Sequence, residues 1–416
     1  MTSAQLMNQR AERAAAADAD GAAAGPDPAD LRIAVYTDYA YRRDASGVYA
    51  ERAFALFVNE LAGRVGQLTL LGRVHPGAGR GRYRMDDRLR FVELPFYEAL
   101  TDPRRSIGRM AASLGRFWRA LDEVDAVWLL GPHPLALAFA GLARLRGRRI
   151  VLGVRQDTGT YLRTRHPTRR WLWAAGAVLE GAWRAVARRT AVIVVGPQLA
   201  TQYENAPRTL PVAISLVRAD QIGGPREDGG GPGDEVHLLS VGRLETEKNP
   251  LLMADVLAGL NRGDRTWRLT VCGEGPLLEP LRDRLAELGM ADHAELLGYV
   301  PFEGLERRYR SSDVLLHVSW TEGLPQVLFE AFAAGLPVVA TDVGGIRAAV
   351  GDATVLIPAG DADAAIAALR TVVEDPARRE ALVAAGLACA ASHTIESESE
   401  RVARFLAGAP LAAVAS

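Results

Sequence analysis

Short runs of consecutive apolar residues alternate along this chain with longer stretches whose apolar positions recur every three or four residues. The short runs in the first half are LRIAVYT (31–37), QLTLLG (67–72), LRFVEL (89–94), DAVWLL (125–130), RIVLGV (149–154) and TAVIVVG (190–196). Unbroken apolar runs of this length suit strands covered on both faces, as in a parallel sheet. The stretches between them, such as 49–63 and 134–147, carry helical spacing. A second series follows: VHLLSVG (236–242), TWRLTVCG (266–273), AELLGY (294–299), DVLLHV (313–318), LPVVAT (336–341) and TVLIP (354–358). Helical stretches separate these strands too, near 249–262, 275–289, 302–311, 325–334 and 361–374, and two more follow near 376–391 and 396–407. The alternation predicts a doubly wound α/β chain.

Between the two series, IGGPREDGGGPGDE (222–235) is too rich in Gly and Pro to hold regular structure. The expected organisation is a disordered Ala-rich leader (1–30), a first domain (31–221), this linker, a second domain (236–392), and a C-terminal helix and tail (393–416). Two such halves place a ligand in the cleft between them, at the carboxyl ends of the strands.

Composition narrows the class. Hydrophobic residues make up 49% and charged residues 24% of the 416 positions, as in ordinary soluble globular proteins. Cys272 and Cys389 give neither a disulfide framework nor a metal-ligand spacing. No secretory signal is visible, and no apolar run reaches the roughly 18 residues of a spanning helix. A cytoplasmic location is expected. Charge is divided unevenly: residues 31–221 hold 30 arginines against 16 acids, and residues 222–416 hold 17 basic residues against 29 acids. A basic first half fits contact with something anionic. Within it, residues 163–189 interleave arginine with Trp171, Trp173 and Trp183. That stretch is a candidate for an anionic membrane surface; the alternative is an amphipathic helix covering the sheet. Nothing in the pattern suggests nucleic acid.

The candidate chemistry lies mainly in the second half. Every basic residue but one is arginine, and the single lysine is Lys248, in SVGRLETEKNP (240–250). A compact ammonium is not interchangeable with a guanidinium. Arg243 and Lys248 at a strand–loop–helix junction can neutralise a diphosphate. Asn249 and Pro250 read as the N-cap and first residue of the next helix. Gly273 and Gly275 in VCGEGPLLEPL allow close approach to an anion, and the turn GYVP, with Val300, offers a surface for a flat base. In WTEGLPQVLFEAFAAG (320–335), Glu322 and Glu330 stand eight positions apart, about 12 Å if the span were helical. Such a pair cannot grip one atom but can hold two ends of an extended ligand. Gly323 permits unusual dihedrals, and Pro325 suits the first helical position.

In the first half, Gly47 lies in an expected strand–loop–helix (38–51). His133 ends one strand, and Arg155 and Asp157 end another, where they face acceptor or donor or pair with each other. No G-x-G-x-x-G follows the first strand, so a dinucleotide-binding dehydrogenase is not indicated. Asp361 and Asp363 read as a helix cap rather than a metal site.

The segments VGRL-x-x-EKN, GEGP, GYVP and EGLPQVLFEAFAAGLPVVATDVGGI, in this order, resemble the retaining glycosyltransferases of family 4. The likeness is specific over about 236–358 and general over 31–221. It implies the GT-B fold, α/β, with two Rossmann-like α/β/α domains facing an interdomain cleft. It also implies transfer of a sugar from a UDP- or GDP-sugar to a hydroxyl acceptor of unknown identity, with no cofactor and no metal. By this resemblance Arg243 and Lys248 hold the diphosphate. Glu322 and the amides of Gly323, Leu324 and Pro325 hold the donor sugar, Glu330 takes the ribose, and Gly47 lies in a glycine loop. His133 stands near a sugar-binding strand end, and the protein is expected at the inner face of the cell membrane. A sugar-nucleotide epimerase or phosphorylase, and a non-catalytic nucleotide-sugar-binding protein, are the alternatives.

Overall fold

The computed structural model describes residues 27–77, 79–98, 103–165, 168–223 and 233–409. Most of the expected leader, the centre of the linker and the chain beyond 409 lie outside the described residues.

Nine strands make the first sheet: β1 (Arg32–Asp44), β2 (Gly47–Ala50), β3 (Gln67–Val74), β4 (Tyr83–Arg84), β5 (Arg90–Leu94), β6 (Ala126–Gly131), β7 (Arg149–Val154), β8 (Ala191–Val195) and β9 (Thr209–Val212). Seven run parallel in the order β5-β3-β1-β6-β7-β8-β9. β2 pairs antiparallel with the far end of β1, and β4 pairs antiparallel with β2. The second sheet holds β10 (Glu235–Val241), β11 (Thr266–Cys272), β12 (Ala294–Gly298), β13 (Val314–His317), β14 (Val338–Thr341) and β15 (Thr354–Ile357). It is parallel, in the order β12-β11-β10-β13-β14-β15. The strand order reverses between β1 and β6 and between β10 and β13. Those are the two crevices where a ligand fits.

Alternation explains why each sheet is covered twice. In β1, Ile33 and Val35 join one core, and Ala34 and Tyr36 the other. In β10, Val236 and Leu238 face one layer, while Leu239 and Val241 face its opposite. All twelve strands expected from the apolar runs are present. The exceptions have physical causes. The strand–loop–helix expected around Gly47 is a β-hairpin instead: β1 continues to Asp44, Asp44 pairs with Gly47, and the helix waits until Phe54–Ala62. β9 contains Pro211, which reads as a breaker but is tolerated because β9 lies at the sheet edge. Asn249 is not an N-cap. It follows the 3₁₀ turn Thr246–Lys248 in a left-handed conformation (φ 51°), and the helix begins at Leu252. Asparagine tolerates that region better than other side chains. Pro325 precedes its helix as the cap, and the helix runs Gln326–Ala333.

The helix Ile395–Ala407 crosses back to the first domain. Ile395, Val402, Phe405 and Leu406 lie in one core with Phe57 and Leu61. Polar clasps fix it there: Arg64 Nε donates to Ser399 Oγ (2.6 Å), Arg401 Nη2 to the Pro211 carbonyl (3.1 Å) and Arg149 Nη1 to the Ala407 carbonyl (2.9 Å). It enters this course beside the other crossing, where the Ile395 N–H donates to the Val217 carbonyl (2.8 Å). Phe405 is 2% exposed. Phe405→Ala is expected to cost about 3–5 kcal/mol and to lower the unfolding transition of the first domain, followed by calorimetry; an unshifted transition would separate this helix from that core.

Candidate active site

The loops after β10 and β13 meet at the second switch point. The Trp320 N–H donates to the Glu247 carbonyl (2.9 Å), tying one loop to the other. Glu322 is held there with its side chain 9% exposed. Its Oε1 receives the Lys248 ammonium, the Ser319 hydroxyl (2.7 Å) and His317 Nε2 (2.9 Å). Burial alone would raise this carboxyl; the Lys248 charge and then His317 outweigh it and hold it well below the usual carboxylate range. Neither His317 nor Ser319 stands out in the sequence, since each is one polar residue at the end of an apolar strand.

Arg243 is matched in its turn by Glu245 and by Glu247 (3.4 Å). Both expected diphosphate cations therefore carry carboxylate partners. An ammonium has three donors and a guanidinium five, so each can donate to a phosphate oxygen while keeping a partner.

Glycines bring the loops into contact. A Cβ on Gly273 would stand 1.8 Å from the Gly242 carbonyl oxygen, and one on Gly275 would stand 2.4 Å from that of Leu244. Close passage of the β10 and β11 loops thus accounts for both glycines without an anion. A Cβ on Gly323 would stand 2.5 Å from the Arg155 carbonyl oxygen of the first domain. The Gly345 N–H donates to the Gly323 carbonyl (3.1 Å), so the GGI turn supports Gly323 from behind. Of the three amides expected to meet the donor sugar, Gly323 and Leu324 can donate, but Pro325 has no N–H. Val300 packs at the margin of the core beneath the Gly298 turn.

Glu330 lies on the Gln326–Ala333 helix and accepts the Tyr309 hydroxyl (2.7 Å). Burial pushes its carboxyl up, only partly offset by that bond.

Across the gap, a cleft of about 910 Å³ is bordered by Asp38, Arg73, His133, Arg155 and, from the second domain, Arg243. Arg155 and Asp157 do not pair. Arg155 Nη2 meets Asp38 Oδ1 (2.8 Å), with Nη1 on the Tyr39 hydroxyl. Asp157 turns away, accepting from the Thr160 N–H (2.7 Å) and Gln202 Nε2 (3.1 Å), as a cap for the Thr158–Arg165 helix. His133 borders the cleft but is engaged structurally. Its Nδ1 accepts the Leu135 N–H (3.2 Å) as the cap of the Pro134–Leu145 helix, and its Nε2 faces the Tyr97 hydroxyl (3.3 Å). Burial lowers its pKa to about 4, so the ring is neutral near pH 7. Gly47 is not brought to this cleft: a Cβ there would meet only the Arg84 side chain. Trp183 is fully buried and cannot reach a membrane, whereas Trp171 is 59% exposed.

Two pH effects follow. The Glu322 carboxyl is depressed, so its stabilisation is complete above its unfolded pKa of about 4.3 and fades as pH falls below that. Lys248→Ala is expected to cost about 3–5 kcal/mol near pH 7, with the gap to the unsubstituted protein narrowing below pH 5 in denaturant titrations. Glu330 is raised, so its ionised form costs stability above its folded pKa. Glu330→Gln should therefore melt higher at pH 7–8 and lose that gain at acid pH, while donor binding falls.

Comparison with known proteins bears on this geometry. Residues 226–388 match the family described as Glycosyl transferases group 1. A D-inositol 3-phosphate glycosyltransferase of Streptosporangium roseum is 34% identical over 43% of this chain; the chain spans only 43% of that relative's length. A GDP-mannose-dependent alpha-(1-6)-phosphatidylinositol monomannoside mannosyltransferase of Mycolicibacterium smegmatis is 27% identical over 85% of this chain and 92% of that one. Among solved structures, sucrose-phosphate synthase of Thermosynechococcus elongatus superposes with a TM-score of 0.72 at 17% identity, covering 90% of this chain and 98% of that one. Anabaena HepE, solved with UDP and glucose, gives 0.66 at 16% identity, over 91% and 100%. Residues 226–388 thus match the glycosyl transferases group 1 family, and the whole chain shares the GT-B fold of these solved structures.

Proposed function

We propose that this chain is a retaining glycosyltransferase, similar to those of family 4, that moves a sugar from a UDP- or GDP-sugar to an acceptor hydroxyl without needing a metal. The observation that carries this reading is the buried Lys248–Glu322–His317 cluster at the β10/β13 switch point, in backbone contact with Arg155 of the other domain through Gly323. Glu322 positions the donor sugar and Glu330 the ribose. The acceptor oxygen attacks the anomeric carbon from the face of the departing group. The carbon–oxygen bond to the diphosphate breaks, and the acceptor proton passes to the diphosphate oxygen that leaves. Arg243 and Lys248 stabilise the charge developing there.

The acceptor side is two-natured. Arg52 and Arg73 border the cleft, and among the described residues neither meets a carboxylate; Arg73 Nε is buried without a partner. Tyr161, Leu162, Trp171, Leu172 and Leu179 form an apolar wall. Trp171 and Val178 (75% exposed) continue that wall onto the surface of the Arg170–Ala187 helix, beside the exposed Arg169, Arg170 and Arg184. This supports peripheral attachment to an anionic bilayer, with a lipid-borne acceptor drawn from it. The Mycolicibacterium relative acts, by its name, on a phosphatidylinositol monomannoside.

A panel of nucleotide sugars, assayed for nucleoside diphosphate release with and without acceptors, tests the reaction. Release that depends on acceptor is expected, and release without any acceptor points to hydrolysis or another activity. Lys248→Ala and Glu330→Ala should each lower donor kcat/KM by about a hundredfold or more, and Lys248→Arg should not restore it. Unchanged kinetics in these variants would remove the assignment. Sedimentation with anionic vesicles, but not with neutral ones, is expected of the full chain and should weaken in Trp171→Ala.

A further inference from the structure

The two turns assigned to the donor, around Gly273–Gly275 and Gly298–Pro301, carry exposed Glu274 and Tyr299 side chains toward the first domain. A segment of the first domain lies across them. After β3 the chain leaves its sheet and returns as β4, the outer neighbour of β2. Gly81 lets it pass close by: a Cβ there would stand 2.9 Å from the Ala50 carbonyl oxygen. Asn59 anchors the return, its Nδ2 donating to the Arg84 carbonyl (3.0 Å) and its Oδ1 accepting the Asp86 N–H (3.0 Å). A strap fastened to its own domain thus carries Arg82 and Tyr83 out over the other one.

Arg82 touches both donor turns at once. Its Nη2 lies 3.0 Å from Glu274 Oε2, and its guanidinium sits 3.8 Å from the centre of the Tyr299 ring. Tyr299 is otherwise an exposed aromatic, 40% accessible. Tyr83, the next residue, is half-buried. Burial first, then Tyr299 and Glu330, push its phenol up to about 12. The Arg82–Glu274 pair is too exposed to add much to folding stability, with side chains 41% and 55% accessible. A planar cation on an exposed ring is instead a surface that a flat heterocycle can join by stacking or by hydrogen bonds at its edge.

We propose that Arg82 and Tyr83 form the wall of the nucleotide pocket on the first-domain side, binding the nucleoside end of the donor against the Glu274 and Tyr299 turns. This rests on the donor site described under the proposed function and adds residues to it from the opposite domain. Arg82 faces the base, and Tyr83, the next residue of β4, extends the same wall. Nucleotide binding and domain closure are then one event, because the ligand is gripped by both halves at its nucleoside end as well as at its sugar.

The test is calorimetric titration of the full chain with UDP and with GDP, repeated for Arg82→Ala, Arg82→Lys and Tyr83→Phe, together with donor and acceptor KM. Arg82→Ala should weaken binding of the preferred diphosphate about tenfold and raise donor KM in proportion, with acceptor KM unmoved and the melting temperature held. Arg82→Lys keeps the charge but not the plane and should recover only part of the loss. Tyr83→Phe should weaken the same titration by about threefold. Diphosphate binding by Arg82→Ala equal to that of the unsubstituted protein would overturn the strap while leaving the donor site standing. Failure of the unsubstituted protein to bind either diphosphate would overturn both.

Discussion

A carboxylate kept ionised in a nearly closed environment is the constraint on which this site rests. Glu322 stands at the end of β13 with little access to water, and desolvation by itself would neutralise it. Lys248 and His317 reverse that tendency, and Ser319 takes part of the hydrogen-bonding capacity. The arrangement has two requirements. Lys248 must come from the β10 loop, and the β10 and β13 loops must be locked in register. The Trp320–Glu247 backbone bond and the left-handed turn at Asn249 meet the second need. Lys248, His317 and Ser319 thus converge on one oxygen of a single carboxylate.

Around that cluster, the missing side chains of glycine matter as much as the side chains present. Gly273 and Gly275 allow neighbouring loops to touch, and Gly344 would place a Cβ 1.9 Å from the Glu322 carbonyl oxygen. Gly323 does the same between domains, against Arg155. On the first-domain side the cleft is bordered by the long cationic side chains of Arg52, Arg73 and Arg155.

Much of this was legible in the residues. Parallel strands buried on both faces declare themselves as apolar runs, so their positions and the doubly wound class were readable. Glu322, Glu330 and Lys248 were readable because charge set beside apolar core positions, or a single lysine among arginines, needs a reason. The rest depended on tertiary contact. The β1–β2 hairpin looked like a loop because β2 is only four residues long and its partner is the overlong tail of β1. His317 and Ser319 looked like ordinary strand-end residues. Arg155 and Asp157, two positions apart, seemed natural partners until the strand end sent one toward Asp38 and the other into a helix cap. Gly273 and Gly275 read as glycines that admit an anion, and the close passage of two loops explains them before any ligand is considered.

The return of the Ile395–Ala407 helix to the first sheet has a consequence for biosynthesis. Its apolar residues complete a core that also contains Phe57, Leu61 and Val35, more than three hundred positions earlier. On the ribosome, the amino-terminal half therefore emerges with an uncovered apolar surface and must wait while the whole carboxyl-terminal sheet is translated. The first domain's core is therefore closed only when nearly the whole chain has been made.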